Sequence, residues 1–127
     1  MLKGKAVIYK KSIAFAYARD LYEKGPEYAL ARLHERKQDT VKYILTEKDM
    51  ARVGLEFSRN KNYQQYCLET YRLNAEFFPQ SWKARDDYAN ALLKNSQKEG
   101  AIKMYKESLE INPNNQNSKK VLEQISK

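Results

Sequence analysis

Apolar residues recur along this chain at intervals of three and four, the spacing of one helix face. Ile13, Tyr17 and Leu21 mark a first helix, with Ser12 placed to cap it. The run "KGP" predicts its end, Gly25 closing that helix and Pro26 opening the next at its first turn. Ala29, Leu30 and Leu33 stripe the second helix. Met50, Val53 and Phe57 stripe a third, preceded by "TEKD", in which Thr46 and Asp49 have capping-box spacing. A left-handed residue is expected at Asn60 or Asn62, where that helix ends. Tyr63, Cys67, Tyr71 and Phe78 lie on a fourth helix that Pro79 stops. Ser81 caps a fifth, with Trp82 at its start and Tyr88, Ala89 and Leu92 as its stripe. "KNSQ" breaks it. Ala101, Ile102, Tyr105 and Leu109 mark a sixth helix that ends at "NPNN". Asn114 or Asn115 then caps a seventh, carrying Val121, Leu122 and Ile125. Two stretches carry no helical period. "AVIY" near the start leaves a short strand and an ordered arm both open, and "TVKYIL" at 40–45 reads as a connector or a strand-like link.

The pattern therefore predicts an all-α chain of about seven helices joined by short turns. Its second half repeats. Tyr71 and Tyr105 are 34 residues apart, as are Pro79 and Pro113. A helix–turn–helix unit of that period is the signature of tetratricopeptide repeats. Aligned on Pro113, one unit runs over 82–115, with Ala89, Leu92, Ala101, Tyr105 and Ser108 matching the family's alternation of small and large residues. The preceding unit, 48–81, matches at Cys67, Tyr71 and Pro79, but Gly54 and Leu55 fall one residue out of the usual order. Residues 1–11 are expected as an N-terminal arm, 12–47 as an irregular helix pair with its connector, and 116–127 as a capping helix.

The chain thus resembles the tetratricopeptide family. The runs "ILTEKDMARVGLEF", "YRLNAEFFPQSWKARDDYANALL" and "AIKMYKESLEINPNNQNSKKVLEQI" further resemble the helical tail behind the catalytic domain of some bacterial β-lactamase-related serine hydrolases and esterases, over roughly residues 11 to 126. The resemblance implies antiparallel helix pairs stacked as a short right-handed superhelix. It also implies recognition of a protein or peptide segment in a concave groove lined by the first helix of each pair. Carried over, the groove residues are Asp49, Arg52, Glu56, Arg59 and Asn60, then Lys83, Asp86, Asn90, Leu93 and Lys94, then Asn117, Lys120 and Gln124. This set leans basic, which implies an extended or acidic peptide. Some family members clamp a C-terminal carboxylate with Lys and Asn. Glu56 would repel that group, so the clamp is not expected here. The second role that the resemblance implies is an accessory domain docked on a hydrolase in the same parent chain.

Composition narrows the chemistry. Hydrophobic residues make up 42% of the 127, enough for a core. The net charge of +8 is spread along the chain without a block of five like charges, so a solvated Lys-rich surface is the expected reading and nucleic acid an unlikely partner. The ten tyrosines suggest base stacking, but Tyr71, Tyr88 and Tyr105 fall on packing positions. Cys67 is the sole cysteine and His34 the sole histidine, so there is no intramolecular disulfide and no His pair at metal-ligand spacing. Asp86 and Asp87 are adjacent on a helix and diverge, a poor acid–base pair. No phosphate loop or nucleophile elbow is present. The expectation is a non-catalytic module without cofactor or metal. No apolar run approaches the roughly 18 residues of a membrane span. A complete chain would be expected in the cytoplasm, and a fragment of an exported hydrolase in the periplasm or outside the cell.

Overall fold

Helix signals spaced this closely leave room for little but turns, and the computed structural model of the chain, which describes residues 9–127, is all-α. Among the described residues the order is β1 (Lys11–Ser12), α1 (Ile13–Lys24), α2 (Pro26–Gln38), β2 (Tyr43–Ile44), α3 (Glu47–Ser58), a 3-10 turn (Lys61–Tyr63), α4 (Gln64–Phe77), α5 (Trp82–Lys94), α6 (Lys98–Ile111) and α7 (Gln116–Ile125). Of the run "AVIY" only Tyr9 is described, and residues 1–8 of the expected arm lie outside the described residues. The described helices include none long and apolar enough to cross a membrane. The chain divides into two units, Met1–Asp49 and Met50–Lys127.

In the first unit, Ser12 caps α1 by accepting from the Phe15 N–H at 3.2 Å. Gly25 has φ 88°, a conformation that L side chains rarely adopt. That single residue ends α1 and lets Pro26 start α2. Ile13, Ala14, Tyr17 and Leu21 bury one face of α1, and Ala29 and Leu33 bury one face of α2. Each large side chain hidden this way contributes about 1.5–3 kcal/mol. A buried ion pair also joins the two helices, Arg36 Nη1 to Asp20 Oδ2 at 2.6 Å, with the guanidinium 5.7 Å from the Tyr43 ring centre. The stretch 40–45 becomes a turn followed by β2, which pairs in parallel with β1 through Lys11↔Tyr43 and Ser12↔Ile44. Thr46 Oγ1 accepts from the Asp49 N–H at 3.1 Å, one half of the expected capping box. The other half does not close. The Asp49 carboxylate accepts instead from Ser12 Oγ at 2.9 Å, so it is tied to the start of α1 and is not a groove ligand.

The second unit shows its 34-residue period in three dimensions. Cys67 and Ala101, Tyr71 and Tyr105, and Asn74 and Ser108 are all buried. Phe78 (φ −126°, ψ 70°) and Asn112 (φ −129°, ψ 88°) leave the α region just before Pro79 and Pro113. Each still donates its N–H four residues back, to Asn74 O and Ser108 O. Ser108 Oγ donates to Trp82 O at 3.1 Å, fastening α6 to the start of α5. Phe57 meets Tyr63 and Tyr66, with ring centres 5.9 and 5.5 Å away, and so holds the end of α3 to the start of α4.

The two inter-helix turns differ from each other, and the first departs from expectation. Asn60 is extended (φ −117°, ψ 116°) and caps the 3-10 turn by accepting from the Asn62 N–H. No left-handed residue occurs there. The only non-glycine residue with positive φ among those described is Ser96, φ 62°, in the α5–α6 turn. The gap between α5 and α6 is three residues, too short to reverse the chain without it.

Candidate peptide-binding pocket

The pocket lies within the second unit and is built by α3, α4 and α5. Gly54 on α3 is where its shape begins. A Cβ at this position would stand 2.6 Å from Tyr71 Cε1, so only glycine lets the Tyr71 ring lie across α3. The small residue that meets this tyrosine is therefore one position earlier than the repeat pattern has it. Leu55 is displaced outward as a consequence, 47% exposed, and becomes a wall of the pocket. Ser58 completes the α3 side, Cys67 and Tyr71 form the α4 side, and Asp87, Asn90, Ala91 and Lys94 come from α5. The cavity measures about 250 Å³. Sites for drug-sized ligands run from about 300 to 1,000 Å³, so this one has room for a side chain or a short piece of backbone.

The polar groups around it are held in defined states. Lys94 Nζ donates to the Ser58 carbonyl at 2.8 Å, close to the C-terminal end of α3 where carbonyls lack helical partners. Asn90 Oδ1 accepts from the Tyr105 hydroxyl, which uses the acceptor end of the amide and leaves its N–H donors for a ligand. Burial pushes the Tyr71 phenol well above its ordinary pKa, and the charge of Asp87 adds to the shift. Burial likewise raises the Cys67 thiol, against the pull of Lys94. Both are protonated near neutral pH and act as hydrogen-bonding or packing groups. Burial also raises the Asp87 carboxyl, opposed by Lys83, with Asp86 adding.

No family model matches the chain, and no curated protein matches it.

Of the residues expected to contact a partner, the pocket brings together Asn90 and Lys94. Lys83 is connected to it through Asp87, its Nζ 3.4 Å from Oδ2. Arg52 and Glu56 on α3 and Arg59 just past its end are exposed but do not line it, and Glu56 and Arg59 pair with each other at 3.0 Å. Lys120 and Gln124 are exposed on α7, outside the pocket. Asp86 needs correction. It is 7% exposed, and its carboxylate accepts from Ser118 Oγ and Asn115 Nδ2, each at 2.6 Å. Asn115 is the residue that caps α7, so Asp86 anchors the start of that helix and faces no ligand.

Leu55, Ser58, Cys67, Tyr71, Asp87 and Ala91 were not expected to line a site. For Asp87 a signal existed: Lys83 four residues earlier is the spacing of an intrahelical ion pair. For Leu55 the signal was the out-of-order Gly54–Leu55 pair. Of the three tyrosines expected at packing positions, Tyr71 and Tyr105 are buried and Tyr88 is half-buried. His34 is exposed on α2. Among the described residues no three His, Cys, Asp or Glu side chains gather as a metal site.

Proposed function

We propose that this chain is a non-catalytic tetratricopeptide-like module that binds a peptide or protein segment along α3 and α5. The observation that carries this reading is the Leu55–Tyr71–Asn90–Lys94 pocket, which offers an apolar wall, amide N–H donors and an ammonium in one small cavity. An extended peptide presents what such a pocket can hold, alternating side chains and unpaired backbone amides. The equivalence of Cys67 with Ala101, Tyr71 with Tyr105 and Phe78 with Asn112 supports the repeat assignment. The raised Tyr71 and Cys67 groups, with no histidine in this unit to activate them, favour binding over nucleophilic catalysis.

Panning a degenerate dodecapeptide library tests the reading. The wild-type chain is expected to enrich a pool that Leu55→Glu no longer retains, while the variant keeps its helical circular dichroism because Leu55 is exposed. Absence of any enriched pool, or equal retention by the variant, would refute it.

A further inference from the structure

We infer that this pocket takes a basic side chain, a lysine or arginine of the bound peptide, whose charged head displaces Lys83 from Asp87. The inference rests on the peptide-binding reading above and adds the chemistry of the residue held.

Asp87 is the group that directs it. Its side chain is only 20% exposed, yet its one charged partner among the described residues, Lys83, is 66% exposed and approaches no nearer than 3.4 Å. A mostly buried carboxylate is thus served by an ammonium that remains largely in water. An ion pair whose ammonium stays in water and is screened there gains little. Lys83 nevertheless shows that an ammonium can reach these oxygens. A peptide lysine or arginine entering from the cavity would lose more of its water on reaching Asp87, and its attraction to the carboxylate would be correspondingly stronger.

The rest of the cavity suits the same group. Leu55, Ala91 and the Tyr71 ring are apolar surfaces for a methylene stem. The Asn90 amide and Asp87 are polar members of the same lining. Lys94 does not compete, because it sits two helical turns from Asp87, about 10 Å along the axis, and is held by the Ser58 carbonyl. Glu56 on α3 and Arg59, just past its end, neutralise each other. An acidic side chain in this cavity would meet Asp87 directly. The basic lean of the groove residues therefore does not describe this pocket, whose buried charge is negative.

The pool enriched by the wild-type chain tests this. Lysine or arginine is expected to dominate one position. The selected peptide should lose about tenfold in affinity against Asp87→Asn. It should gain about twofold against Lys83→Met, which removes the internal competitor. A fixed position that is acidic or apolar, undiminished affinity for Asp87→Asn, or weaker binding to Lys83→Met would each overturn the inference and leave the peptide-binding reading standing. Failure to enrich any pool overturns both. Thermal melts of both variants confirm that they fold.

Discussion

Replacing Gly54 with alanine tests how α3 and α4 fit together and what keeps the pocket open. In an isolated helix this change stabilises by about 1 kcal/mol, because alanine loses less backbone entropy. Here the new methyl meets the Tyr71 ring at 2.6, 2.7 and 2.9 Å from three of its carbons. Ordinary contact begins near 3.4 Å, so the ring must withdraw by about 0.8 Å or the helices must part by as much. The obstacle is a rigid ring 8% exposed, not the end of a flexible chain. Overpacking of this sort costs about 1–3 kcal/mol, and a rigid partner places it in the upper half. The balance is a loss of about 1–2 kcal/mol. Urea unfolding of wild type, Gly54→Ala, Tyr71→Leu and the double variant would measure it. Tyr71→Leu removes the obstructing ring, so Gly54→Ala should become neutral or stabilising in that background. If Gly54→Ala stabilises the wild-type chain, or if the two changes are additive, the close approach described here is wrong.

Three further outcomes are expected. Ser96→Gly should stabilise by about 0.5–1 kcal/mol, since it relieves the left-handed serine in the α5–α6 turn; an unchanged or lowered urea midpoint would contradict the turn geometry. Asp86→Ala should cost about 2–3 kcal/mol by stranding Asn115 and Ser118, with hydrogen exchange accelerated first in α7; uniform exchange across the unit would count against the network. Asp87→Asn should stabilise the chain at neutral pH. Burial holds the folded carboxyl above its unfolded value, so the folded state binds the proton more tightly, and wild-type stability falls as pH rises from the unfolded carboxylate pKa through the folded one. The variant escapes that loss, and the two proteins should converge at pH below both values. An advantage that persists undiminished in acid would exclude a titration effect.

What could be read from the chain follows from how local each signal is. Ser12, Gly25 with Pro26, Phe78 before Pro79, Ser81 and Asn115 act on backbone within about four residues, so the helix ends they set are legible. The β1–β2 pairing joins residues 32 apart through two residues per strand, too few for any alternation to announce it. The Asn60 turn tightened into a 3-10 coil because Asn60's side chain bonded the Asn62 N–H, an alternative that competes with the left-handed form. Asp86 and Asp87 show the limit for the site. Both are acidic residues on one helix, but Asp86 is covered by the start of α7 and Asp87 faces a cavity set by Gly54. Neither outcome follows from the sequence around them. Asn90 and Lys94, which the family resemblance implied as groove residues, both line the cavity.

Amide chemical-shift mapping tests the central claim most directly. The isotopically labelled chain would be titrated with the peptide that it selects from the library. Shifts are expected to cluster at residues 54–58 on α3, 67–71 on α4 and 87–94 on α5. Shifts confined to α1 and α2, or to α6 and α7, would contradict the account.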